Sequence, residues 1–148
     1  MAQRKDIMIR EYHECDIEDL YYLNKNEMGY DYPQDQMMKQ IKKILNKDTD
    51  KIFVAIMNNK IVGYIHVHDY DLMYNDHLKN ILGIAVSGEY RHQGIGKALL
   101  HQAEIWAKET NAKGIRLVSG ETRTGAHEFY KHCGYQFVKN QCNFIKKW

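Results

Sequence analysis

Six consecutive residues in this chain, Arg91-His92-Gln93-Gly94-Ile95-Gly96, and the Lys97 that follows have the types and spacing to hold a phosphate. Glycine lets a backbone approach an anion closely. The first turn of a helix carries N–H groups with no intrahelical acceptor, aimed outward at the positive end of the helix dipole. Arg91 and Lys97 add mobile positive charge beside those donors. Two rival phosphate motifs fail on inspection. A P-loop needs glycine five residues before its Gly-Lys glycine and Ser or Thr after the lysine, where this chain has Arg91 and Ala98. A dinucleotide fingerprint needs Gly or Ala at its last position, where Leu99 stands.

The elements around this segment must deliver a strand and then a helix. Residues 78–86 read as a strand. Gly94 opens a helix to about Thr110, with Ile95, Ala98, Leu99, Ala103 and Trp106 on one face. Upstream, residues 7–10 read as a short strand. Asp16 offers an N-cap to a helix bearing Ile17, Leu20, Tyr21 and Leu23, which Gly29 ends. Met37, Met38, Ile41, Ile44 and Leu45 mark a second amphipathic helix after the loop Tyr30-Asp31-Tyr32-Pro33. Residues 52–57 and 61–68 pair as a hairpin across Asn58-Asn59. Residues 115–119 form a strand, 124–133 a short helix stopped by Gly134, and 135–138 and 143–147 two closing strands. The order β-α-α-β-β-β-α-β-α-β-β predicts an α/β (α+β) fold: one mixed central sheet with helices on both faces.

Composition bounds the function classes. A chain of 148 residues has the length of one domain, expected to span 1–148. Lys plus Arg (21) against Asp plus Glu (19) leaves a net charge of +2, which argues against a nucleic-acid partner. No apolar run approaches the roughly 20 residues of a membrane helix, and the opening MAQRKDIMIREY has no signal-like apolar core. Cys15, Cys133 and Cys142 form no CxxC pair and leave one over, which fits three ordinary thiols in a reducing, cytoplasmic compartment.

With the strand Ile84-Ala85-Val86 before it, Arg91-x-x-Gly94-x-Gly96 resembles the pyrophosphate-binding motif of the GNAT superfamily, the acyl-CoA-dependent N-acetyltransferases. About thirty residues on, Ala126-His127-Glu128-Phe129-Tyr130-Lys131-His132-Cys133-Gly134-Tyr135 resembles that family's A-x-x-F-Y-x-x-x-G-F/Y segment. Two motifs at this separation, each on the expected element, are far more specific than either alone. The predicted element order is similar to the GNAT fold over nearly the whole chain, and over the first fifty residues by element order only.

The resemblance implies acetyl-CoA as co-substrate, no metal, and acetyl transfer to a primary amine of a small molecule or protein. The alternative is a catalytically silent acyl-CoA-binding or sensor module of the same fold. It implies that Ile84, Ala85 and Val86 present backbone groups to the pantetheine arm, as to an added strand. The backbone of His92, Gln93, Gly94, Ile95, Gly96 and Lys97 would hold the pyrophosphate, with Arg91 beside it, and Tyr130 would sit by the sulfur. Arg123 stands where relatives often have a cofactor-contacting Asn. Gly83 stands where some carry a glutamate that serves as base, so no base is inherited.

Acetyl transfer to an amine has two proton problems. A lysine-like amine with pKa near 10.4 is neutral about once in 10³ molecules at pH 7, so a base must strip its proton. A strand N–H near Val86 would serve the oxyanion, and Tyr130 as general acid would protonate the departing thiolate. Glu121, just beyond strand 115–119, is the first candidate base, followed by Asp69, His66 and His68. His66 and His68 share a strand face, which is more often simply polar than metal-binding. Trp106 and Phe129 read as core. Phe129 already fills the core need on its helix, and Tyr130 lies about 100° round from it, which favours a functional tyrosine. The loop Tyr30-Asp31-Tyr32 hints at a cationic amine acceptor. Oligomeric state is not legible, although a homodimer is the usual prior for soluble assemblies.

Overall fold

The computed structural model describes residues 6–148, and these divide after Leu117 into two compact units. The first unit is a five-stranded sheet in the order β1 (Met8–Glu11), β2 (Asp50–Met57), β3 (Lys60–Tyr70), β4 (Leu78–Val86) and β5 (Ile115–Leu117). The first three pairings are antiparallel and β4 with β5 is parallel, so the mixed sheet expected from the element order is present. The β2–β3 turn follows from Asn58 and Asn59, which take φ of 54° and 62°, a conformation Asn tolerates better than most residues.

Alternation along the strands gives the sheet two apolar faces. Ile52, Val54, Tyr64 and Ala85 pack with Ile17, Leu20 and Leu23 of α1 (Ile17–Leu23) and with Met37 and Ile41 of α2 (Gln34–Leu45). The opposite face receives α3 (Ile95–Glu109), which buries Ile95, Leu99, Leu100, Ala103 and Trp106. Gly63 makes the close approach of α3 possible. A Cβ there would lie 2.8 Å from the Ala85 carbonyl oxygen and 3.3 Å from both Ile95 and Leu99. Helices therefore cover both faces.

Two local expectations are corrected, and one, the helix ended by Gly29, is met with a refinement. Asp16 does not cap α1 with its side chain. It is buried and reaches back, accepting the His13 N–H at 2.8 Å and two hydrogen bonds from Arg10 at 2.8 and 2.9 Å. Beyond α1 the helix widens into a π turn, Asn24–Met28, before Gly29 ends it at φ 79°. Residues 135–138 and 143–147 form no strand, and Phe137, Val138, Phe144 and Ile145 are exposed. A strand needs a partner edge as well as β-forming residues, and neither segment is paired in a sheet among the described residues. No helix among the described residues is long and apolar enough to cross a membrane.

The Asp16 cluster carries a pH signature. Burial alone would raise its carboxyl, but the Arg10 and His13 hydrogen bonds outweigh that and hold it below the ordinary carboxylate value. A folded-state value below the unfolded one contributes stability above pH ~4, lost as pH falls through the depressed value. Arg10→Ala leaves a buried, underpaired carboxylate. We expect it to cost about 2 kcal/mol in urea unfolding at pH 7, less than a fully buried pair because Arg10 is partly exposed, with the difference from wild type shrinking toward pH 3.

The second unit, Val118–Trp148, contains α4 (Thr124–His132), stopped by Gly134 at φ 96°.

Candidate active site

The mouth of α3 is built by backbone conformation. Gly94 lies at φ 84° and His92 at φ 64°, and the first helical hydrogen bond runs from the Ala98 N–H to the Gly94 carbonyl at 3.0 Å. The N–H groups of Ile95, Gly96 and Lys97 thus precede the ladder, and an α-helix offers them no acceptor. No acidic residue stands in this first turn and no side chain caps it, so the positive end of the dipole is uncompensated. His92, Gln93 and Lys97 are exposed around it. Ile95 contributes its backbone only, because its side chain is buried against the sheet.

Arg91 differs from the expected mobile charge. Its Nη2 donates to Glu27 Oε1 at 2.8 Å, while Glu27 Oε2 accepts the Gly88 N–H at 2.9 Å. One carboxylate on the π turn therefore holds both ends of residues 88–91. Sequence reasoning missed Glu27, which lies 64 positions from Arg91 with nothing local to mark it.

Strand β4 supplies the neighbouring feature. Its pairing with β5 runs from Lys79 to Ile81 and stops there. Its register with β3 shifts at the same place, with His66 opposite Gly83 and Val67 opposite Ile81, so Leu82 is a bulge. Ser87 N–H bonds the Val62 carbonyl at 2.8 Å. By antiparallel alternation, Ala85 and Gly83 then face β3, and the N–H and C=O groups of Ile84 and Val86 point to the other edge. No β5 residue pairs with that edge beyond Ile81 among the described residues. Ile84 and Val86 fit an added linear partner. Ala85, expected with them, gives its backbone to the sheet.

The α1/α2 face of the sheet carries a line of polar groups. Tyr64 donates its hydroxyl hydrogen to Asn24 Oδ1 and lies over Gly83, where a Cβ would meet the phenol oxygen at 3.3 Å. Burial pushes the Tyr64 phenol up to about 12, with Tyr30 adding to the shift, so it stays protonated. His66 Nε2 lies 2.8 Å from Asp50 Oδ2. Burial tends to raise the Asp50 carboxyl, but hydrogen bonds from Thr49 and His66 hold it below the ordinary value. His68 Nε2 lies 3.0 Å from Asn80 Nδ2, and Arg116 donates to Asn80 Oδ1 at 2.7 Å. Burial chiefly pushes the His68 imidazole down. Between this face and the helices lies a cavity of about 170 Å³ lined by Leu20, Asn24, Met37, Ile52, Tyr64 and His66 among others. A recess of about 320 Å³ beside Tyr12 and α2 includes no residue of β4.

Asp69, another candidate base, turns to the α3 side. Its Oδ1 is 2.5 Å from Lys79 Nζ, and Lys79 is 1% exposed with its Nζ 3.8 Å from the Trp106 ring centroid.

In the second unit, Tyr130 lies on α4 with its ring 5.4 Å from Phe129 and 6.2 Å from Tyr135. Burial raises its phenol, with Cys133 adding to the shift and Arg123 opposing it, so at neutral pH it holds a proton to give. Glu121 lies exposed on the turn before α4, and that turn is pinned by the His127 ring donating to the Gly120 carbonyl at 2.9 Å.

Comparison with known proteins follows the same outline. Residues 16–135 match the family model described as Acetyltransferase (GNAT) family. An uncharacterized N-acetyltransferase of Methanocaldococcus jannaschii is 29% identical over 135 residues, covering 87% of this chain and 56% of the relative. Streptothricin acetyltransferase A of Bacillus subtilis is 36% identical over 81 residues, 54% of this chain and 44% of the relative. The chain thus spans about half the length of these curated relatives. Among solved structures, a GNAT family acetyltransferase of Staphylococcus aureus superposes with a TM-score of 0.75 at 29% identity, covering 97% of this chain and 99% of the other.

Proposed function

The chain belongs to the GNAT acetyltransferase family, and on that premise we propose that it moves the acetyl group of acetyl-CoA to a primary amine by direct attack in a ternary complex. The observation that carries this reading is the mouth of α3. Among the described residues its three N–H donors have no competing carboxylate or side-chain cap, and the same unit offers the open edge of β4. An aminoglycoside N-acetyltransferase solved with CoA supports the co-substrate through the fold, with a TM-score of 0.85 at 17% identity over 96% of this chain and 95% of that one.

Each residue then has a defined task. The N–H groups of Ile95, Gly96 and Lys97 receive the diphosphate, with His92, Gln93 and Gly94 shaping the approach. Arg91 holds that loop to Glu27. Ile84 and Val86 hydrogen-bond the pantetheine arm along the strand edge, and the Val86 N–H serves the developing oxyanion. The nitrogen lone pair attacks the thioester carbonyl, the C–S bond breaks, the Tyr130 hydroxyl gives its proton to the leaving sulfur, and the proton that the nitrogen sheds on becoming an amide restores the hydroxyl. The ammonium proton must go first to a base, for which Glu121 and His66 compete. Direct transfer requires neither a metal nor a covalent enzyme intermediate.

Free-thiol release across an aminoglycoside, a polyamine, an arylalkylamine and a peptide with a free N-terminus tests the activity. Tyr130→Phe separates an enzyme from a silent binding module. We expect turnover to fall about tenfold to hundredfold with acetyl-CoA affinity retained. That is the low end for general acids, because a thiolate of pKa ~8.5 already leaves well. Absence of thiol release by the wild-type chain with every amine would favour the binding module.

A further inference from the structure

Gly83 brings no side chain to β4, and the Tyr64 phenol lies over it. The residue directly across the strand pair is His66. Its side chain is 14% exposed, and it is the imidazole lining the 170 Å³ cavity between the sheet and the first two helices. Asp50, with a side chain 6% exposed, sits 2.8 Å from His66 Nε2 and is itself fixed by Thr49 Oγ1 at 2.7 Å. A carboxylate accepts only, so Nε2 carries hydrogen and Nδ1 is left with the basic lone pair.

We infer that His66, oriented by Asp50, takes the proton from the acceptor amine, whose carbon chain lies in the cavity lined by Leu20, Met37 and Ile52. This rests on the acetyl-transfer reading above and deepens it. The balance is complete. The ammonium loses one H⁺ to His66 Nδ1, the freed amine forms the C–N bond as C–S breaks, the Tyr130 hydroxyl protonates the thiolate and is restored by the second N–H proton that the nitrogen sheds on becoming an amide, and His66 returns its proton to solvent. Neighbouring groups single out this histidine. His68 beside it uses its Nε2 lone pair to accept from Asn80, whose carbonyl is held by Arg116, and burial disfavours its charged form. From the helix side the cavity presents Asn24, Gln40 and Tyr32, with Tyr64 from the sheet, and no carboxylate among the described residues. Lys47 and Asp69 act on this cluster through His68. Asp50 is thus the anion that meets the imidazolium as it forms.

The test uses the full chain and the fastest amine of the panel, followed from pH 5.5 to 9.5. We expect His66→Gln to lower kcat/KM about a hundredfold at pH 7 and to replace the acidic limb set by the imidazole with a rise that follows the amine's own deprotonation toward pH 9.5. Asp50→Asn, a positioning change, should lower kcat about tenfold with the KM for the amine little changed, and Asp50→Glu should recover part of the loss. All three variants should keep the thermal shift caused by acetyl-CoA, which also reports that they fold. A deficit in His66→Gln that is equal at every pH overturns the assignment, as does loss of the limb in Glu121→Gln instead. A kcat unchanged in Asp50→Asn, or a loss carried by KM alone, overturns the orienting role. Absence of turnover in the wild-type chain overturns the inference together with acetyl transfer.

Discussion

Gly96→Asp should abolish acetyl-CoA capture while leaving the chain as stable as before, or more so. The substituted carboxylate stands at the second position of α3, where three N–H groups precede the first ladder bond and no acidic residue competes. A carboxylate there satisfies donors and dipole, worth about 0.3–1 kcal/mol, and replacing glycine inside a helix turn adds about as much. The same group denies those donors to a diphosphate and repels it. Two charge-assisted hydrogen bonds at about 2 kcal/mol each amount to ~4 kcal/mol, roughly a thousandfold in Kd. The thermal scan reads both halves at once. In the wild-type chain, acetyl-CoA at about 100 times Kd adds about 2.7 kcal/mol, whereas the variant melts at or above the unliganded wild type and does not respond. A retained acetyl-CoA shift would remove the α3 mouth from the mechanism.

The second large effect is on folding. Asp69→Ala should destabilise the chain by about 3–5 kcal/mol, which is about 6–20 °C in Tm. Lys79 is 1% exposed, and its ammonium meets the Asp69 carboxylate at 2.5 Å, His77 Nε2 at 3.3 Å and the Trp106 ring. The ring alone compensates a buried cation by about 2 kcal/mol at most. Adding Lys79→Met to Asp69→Ala should restore most of the loss, because an apolar side chain of similar length needs no counter-charge. Tm values of the single and double variants settle it. If the double variant is no more stable than the single, the loss lies in Asp69's other contacts.

Particular residues show what was legible beforehand. The β4 bounds and the α3 start can be read directly, since the apolar run from Ile81 to Val86 and the glycines at 94 and 96 are local signals. The Asn58-Asn59 turn is equally local. Glu27 was invisible because its partners are 61 and 64 positions away. The Asp50–His66 pair was half visible. His66 was in view as a candidate base, but only the β2–β3 register sets Asp50 beside it. The closing strands failed for the opposite reason. Tyr135, Phe137 and Val138 have β-forming side chains, and propensity says nothing about whether a neighbouring edge exists.

The bulge at Leu82 has a bearing on how the chain survives before its substrate arrives. A strand margin offering hydrogen-bonding groups from Ile84 and Val86 is equally inviting to stray polypeptide, the first step toward stacked aggregates. A bulge increases local twist, so a flat intruding strand loses alignment within a residue or two, while a thin, flexible alkyl-amide arm follows the bend. The bulge beside the end of the β4–β5 pairing therefore makes this margin a poor template for edge-to-edge sheet growth.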